Sequence, residues 1–101
     1  MVKKEEILKT LRDNMGEIRK FGVKKIGIFG SAARNELRED SDIDFVVEFE
    51  EGKGNMKDFI GLIDFLEALF SRQADILTPC GIESIRISYV KENIKKELEY
   101  V

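Results

Sequence analysis

Residues 28–34 read Ile28-Phe29-Gly30-Ser31-Ala32-Ala33-Arg34, and residues 42–46 read Asp42-Ile43-Asp44-Phe45-Val46. The first stretch is an apolar strand that ends on glycine and opens into a short helix, with Ser31 placed as its N-cap. The second opens a strand over residues 42–49. Ile43, Phe45, Val47 and Phe49 share one face at period two; Asp42, Asp44, Val46 and Glu48 share the other. Asp42 and Asp44 therefore project from the same sheet face, roughly 6 to 7 Å apart along the chain. Two carboxylates held that close repel each other unless a cation lies between them.

The rest of the chain builds a scaffold around these segments. Residues 3–21 predict an amphipathic helix, with Ile7, Leu8, Leu11, Met15 and Ile18 on one stripe and Gly22 as its C-terminal cap. Residues 24–29 form the first strand. Residues 50–55 are acidic and glycine-rich, hence a loop. A second long helix runs over residues 57–70, capped by Asn55. It is apolar on more than one side, which fits either burial on two faces or an outer side that docks a partner. Residues 74–77 form a third strand, stopped by Pro79 and Gly81. A last helix covers residues 84–98, irregular at its start. Helices alternate with strands throughout, so the fold class is α/β, an α/β sandwich in one domain over residues 1–101.

Composition narrows the chemistry. The chain has 101 residues, a net charge of -3, a single cysteine (Cys80) and no histidine. An internal disulfide and a zinc cluster are both excluded, and any metal site must use carboxylate oxygens, which favour magnesium, manganese or calcium. The net negative charge argues against strong nucleic-acid binding by the chain itself. No apolar run approaches membrane-spanning length, and the start, Met1-Val2-Lys3-Lys4-Glu5-Glu6, lacks the apolar region of a signal peptide; a cytoplasmic location is the expectation.

The candidate site has two halves. A glycine at a strand end lets a phosphate approach the backbone, and the helix start behind it offers free N–H groups. The Ser31 hydroxyl adds a donor, and Arg34, one turn on, adds positive charge. Asp42 and Asp44 supply the metal-binding half. Asp75 opens the third strand among apolar neighbours and is a third carboxylate if the strands are adjacent, suited to hold one ion and help deprotonate an acceptor hydroxyl. Gly27-Ile28-Phe29-Gly30 fails the dinucleotide fingerprint in its third glycine and spacing, no glycine-lysine-serine or glycine-lysine-threonine loop exists, and residues 42–46 fail the calcium-loop pattern at its fifth position and lack its glycine.

Gly30-Ser31, ten residues, then Asp42-Ile43-Asp44 resembles the signature of the polymerase-β-like nucleotidyltransferases, and Ala74-Asp75-Ile76-Leu77-Thr78 looks like the minimal (MNT or MntA-type) branch. The resemblance runs from about the first strand to the end. It implies a small mixed sheet flanked by helices, a polymerase-β palm-like core. It implies Gly30, Ser31 and Arg34 as nucleotide-binding residues. Asp42, Asp44 and Asp75 become the catalytic, metal-binding carboxylates, with two Mg2+ ions and ATP as substrate. Many members carry glycine after the arginine; here Asn35 stands there, and asparagine tolerates the left-handed geometry the turn requires.

Minimal nucleotidyltransferases are often encoded beside a HEPN-domain toxin, so the resemblance further implies an antitoxin that adenylylates a toxin tyrosine. Two other functions stay open: a non-catalytic antitoxin that masks its toxin by binding, and a transferase acting on a small molecule or an RNA end. The plainer reading of Gly30, Ser31, Asp42 and Asp44 is a strand-end turn with two solvated carboxylates. For Arg34 it is a surface arginine.

Overall fold

A computed structural model describes residues 3–101. Helix α1 (Lys4–Asp13) carries Glu5 and Glu6 in its first turn and Arg12 in its last, charges that suit the helix dipole. The expected single helix is broken: after Asn14 come a short α2 (Met15–Ile18) and one 3-10 turn, Arg19–Phe21. Asp13, Asn14 and Gly16 are poor helix formers, and the Asn14 side chain donates to the Thr10 carbonyl at 2.8 Å. The apolar stripe survives the break, since Ile7, Leu11 and Ile18 are all fully buried. Gly22 closes the segment at φ 82°, the left-handed cap expected of it.

Strand β1 (Val23–Phe29) leads into α3 (Gly30–Ala33), and β2 (Ile43–Phe49) pairs antiparallel with β1. Helix α4 (Met56–Phe70) is capped by Asn55, whose side chain accepts the Asp58 N–H at 2.8 Å. It carries the chain over the sheet to β3 (Ala74–Leu77), which pairs parallel with β2; a parallel neighbour demands such a crossover. The residue that caps α3 is Phe29, with no side-chain bond; Ser31 lies inside the helix rather than at its cap.

The C-terminal end departs from expectation twice. Thr78-Pro79 does more than stop β3. It starts α5 (Pro79–Glu83), with the Thr78 hydroxyl accepting the Gly81 N–H at 3.1 Å and proline at the first helical position. Helix α6 (Ser88–Glu97) follows, and then β4 (Glu99–Tyr100) pairs antiparallel with β1. The sheet is thus mixed and four-stranded, in the order β3-β2-β1-β4. Gly27 makes room for β4, because a Cβ there would lie 2.7 Å from Tyr100 Cα.

One main core lies between the sheet and the α1–α2 and α4 layer. It joins Ile7, Leu11 and Ile18 to Ile26, Ile28, Ile43, Phe45 and Val47, with Leu62 and Leu66 from α4. On the opposite face, α5 packs against β2, where Val46 and Ile82 are buried outside that cluster. Among the described residues, no helix is long and apolar enough to cross a membrane.

Candidate active site

The topology brings the two halves of the site to one sheet edge. The antiparallel register sets Phe29, the last residue of β1, opposite Asp44 near the start of β2. The parallel register sets Asp44 beside Asp75 on β3. Laterally paired residues of a sheet point to the same face, so these two carboxylates share one face of neighbouring strands, which run about 4.8 Å from each other. Asp42 lies just before β2, exposed, two residues ahead of Asp44.

Gly30 meets this acidic edge directly. Its φ is 65°, a region glycine enters without penalty, and a Cβ at that position would lie 2.6 Å from Asp44 Oδ2. The Asp44 carboxylate therefore rests against the turn that opens α3. Four residues long, α3 leaves its first N–H groups without partners inside the helix. Ser31 follows at its second position, half-buried. The turn closes with Asn35 at φ 61°, and the Asn35 side chain accepts the Lys4 N–H at 2.9 Å, tying it to the start of α1. Asn35 thus adopts the left-handed conformation that asparagine tolerates.

Arg34 is placed differently from a free phosphate ligand. Its guanidinium donates to Glu97 of α6 at 2.8 Å and lies 3.5 Å from Glu36. Sequence reasoning left Glu97 unassigned, and nothing in its local pattern distinguishes it from the other charges of α6.

Electrostatics mark Asp44 as the strained member. Burial foremost, then the negative charges of Asp75 and Asp42, push its carboxyl above the ordinary range; Arg34 pulls it down. The three carboxylates and Arg34 thus act on one another across a short distance. Among the described residues no three acidic or thiol groups converge tightly enough to form a finished metal cage. That donor set still suits magnesium, which is commonly held by one or two carboxylates together with the oxygens of a bound triphosphate. A divalent cation would also relieve the repulsion at Asp44.

The sequence profile of the nucleotidyltransferase domain family matches residues 6–101, and the chain belongs to that family. It is a nucleotidyltransferase, an enzyme class that generally uses a divalent metal and a nucleoside triphosphate. Over 102 positions it is 38% identical to the protein adenylyltransferase MntA of Thermococcus cleftensis, an alignment covering 100% of this chain and 98% of that one. It is 39% identical over 98 positions to a Methanocaldococcus jannaschii protein provisionally named a protein adenylyltransferase, covering 95% of each. A solved structure provisionally described as a minimal nucleotidyltransferase superposes with a TM-score of 0.73 at 28% identity, covering 97% of this chain and 95% of the other. A chain of a toxin–antitoxin complex solved with AMP-PNP superposes with a TM-score of 0.59 at 20% identity, covering 98% of this chain and 72% of that one, a likeness of fold.

Proposed function

We propose that this chain transfers AMP from ATP to a hydroxyl of a partner protein, and that the partner is a HEPN-domain toxin which accepts the group on a tyrosine. The observation that carries the reading is the contact between the Gly30 turn and Asp44, with Asp75 in register beside it. It joins a turn whose N–H groups are free inside its helix to the paired carboxylates of Asp44 and Asp75. The protein acceptor is supported by the names of the relatives, which are protein adenylyltransferases, and by the fold shared with a toxin–antitoxin chain.

In this reading the Gly30 and Ser31 N–H groups and the Ser31 hydroxyl hold the triphosphate. Asp42, Asp44 and Asp75 would hold the two Mg2+ ions, and that metal would supply stabilisation of the negative charge that develops in the transfer. The acceptor oxygen attacks the α-phosphorus in line. The bond from that phosphorus to the bridging oxygen breaks, and pyrophosphate leaves. Asp75, exposed at the β3 edge, takes the hydroxyl proton. Arg34, steadied by Glu97, contributes positive charge to the same edge.

Helix α4 bears on how a partner docks. Leu62 and Leu66 are fully buried against the sheet, whereas Met56 is 73% and Ile60 51% exposed. This outer side gives a second reading, masking without chemistry, its own observation. One experiment separates the two. The chain is incubated with ATP, Mg2+ and the candidate HEPN-domain toxin, and intact mass is recorded. The wild type adds one adenylyl group to the partner. Asp42→Asn and Asp44→Asn add none while keeping the fold. Mutants that still neutralise the toxin without transfer establish masking; mutants that transfer at the wild-type rate contradict the metal assignment.

A further inference from the structure

Arg72 lies outside every element assigned to the site, yet it grips the segment that delivers Asp42. Its Nη1 donates to the carbonyls of both Arg38 and Ser41, the latter at 3.0 Å. The Ser41 carbonyl belongs to the same rigid peptide plane as the Asp42 nitrogen, so holding one end fixes the other. Residues 38–41 form a turn in which the Ser41 N–H donates to the Arg38 carbonyl at 3.1 Å and the Arg38 N–H to the Ser41 hydroxyl at 3.3 Å. The guanidinium completes that turn from outside. Both bonds leave one nitrogen, whose two N–H groups are fixed in the guanidinium plane, whereas the donors of a lysine ammonium rotate freely and hold the two carbonyls less rigidly.

Arg72 is itself pinned. Ser71, at φ 54°, caps α4 in the left-handed conformation and turns the chain back towards the sheet. The Ala74 N–H donates to Glu67 Oε2 at 2.9 Å, and the Ile43 N–H donates to the Gln73 carbonyl at 3.1 Å. Residues 71–74 are thus bonded to α4 on one side and to the start of β2 on the other. On the far side of the turn, Leu37 is fully buried. Asp42 follows an exposed stretch, residues 38–40, whose own side chains bury nothing. Ile43, the residue after Asp42, is already held by its bond to Gln73, so Arg72 supplies the anchor on the upstream side.

We infer that Arg72 is a positioning residue for metal binding: by clamping the Arg38 and Ser41 carbonyls it sets the Asp42 carboxylate beside Asp44. The inference rests on the assignment of Asp42 and Asp44 as metal ligands. Loss of such an outer contact costs metal affinity roughly ten- to a hundred-fold.

The test measures Mn2+ affinity by electron paramagnetic resonance in the presence of α,β-methylene-ATP, for wild type, Arg72→Ala and Arg72→Lys. Near-ultraviolet circular dichroism confirms that each is folded. The expected result is Mn2+ binding weakened about ten-fold or more in Arg72→Ala and less in Arg72→Lys. Binding of the analogue without divalent ion stays unchanged, since Gly30 and Ser31 are untouched. Added guanidinium restores Mn2+ binding in Arg72→Ala. A merely structural role would lower metal and analogue binding together, with no rescue by guanidinium, and that result overturns the inference. So does an Arg72→Ala affinity within two-fold of wild type. A wild-type chain that binds no Mn2+ with the analogue overturns the site assignment itself and this inference with it.

Discussion

The contact of Gly30 with Asp44 is the simplest feature of the candidate site to perturb. Gly30 stands at φ 65°, and a methyl group there would lie 2.6 Å from Asp44 Oδ2, where ordinary contact begins at 3.4 Å. Gly30→Ala therefore has two separable costs. The left-handed backbone costs about 1–2 kcal/mol for any residue with a Cβ. The steric conflict adds about 0.5–1.5 kcal/mol, because only the terminal oxygen of Asp44 is struck and the carboxylate turns off its rotamer to clear the methyl group. The sum is about 1.5–3.5 kcal/mol, or a melting-temperature loss of roughly 8–18 °C in a domain of this size. A double-mutant cycle in urea, without divalent ions, separates the parts. Combined with Asp44→Ala, the glycine substitution should cost only the backbone part, so the coupling is about 0.5–1.5 kcal/mol. Additivity within about 0.3 kcal/mol would refute the reasoning, since it would mean that the Asp44 side chain is not held against the turn.

Because burial, Asp75 and Asp42 raise the Asp44 pKa in the folded chain, ionisation opposes folding. The stability linked to this group is full below its unfolded pKa of about 3.9 and is lost as pH rises through the higher folded value. Asp44→Asn should therefore melt above wild type at pH 7 without divalent ions, and calorimetry should show the gap closing as the pH is brought below about 3.9. An Asn variant no more stable than wild type at pH 7 would contradict this. At the other edge, Gly27→Val would drive a side chain into the backbone of Glu99 and Tyr100. It should cost about 1–3 kcal/mol and release the Val101 N–H, which bonds the Ile26 carbonyl at 2.9 Å, to fast hydrogen exchange; continued protection would show that β4 tolerates the side chain.

How much of this was legible in the sequence depended on whether the signal was local. Strand β3 was readable to the residue, because Ala74-Asp75-Ile76-Leu77 is bounded by polar and turn residues. Asn55 announced α4 in the same way. The break at Asn14 was hidden because the apolar stripe passes through it unchanged, and only the weak helix formers around it signalled a stop. Helix α5 was missed although Thr78-Pro79 is a helix start as much as a strand stop; the strand's need for an end masked the second meaning. Strand β4 is two residues long and owes its place to Gly27, seventy-odd positions away. A glycine inside β1 was the one available clue. In the site, periodicity extended the strand to Asp42 and put it on one face with Asp44, whereas β2 starts at Ile43 and Asp42 lies just before it; adjacency of Asp75 needed the strand order, and the partners of Arg34 and Arg72 are long-range contacts that no spacing rule reveals.

The account depends on one arrangement: a triphosphate against the Gly30–Ser31 turn with a divalent ion shared by Asp42 and Asp44. A crystal structure of the chain with Mg2+ and a non-hydrolysable ATP analogue tests it most directly. Phosphate oxygens on the Gly30 and Ser31 N–H groups, with Mg2+ bound by both aspartates, is the predicted result. Nucleotide bound elsewhere, or these carboxylates left without metal beside a bound triphosphate, would contradict it.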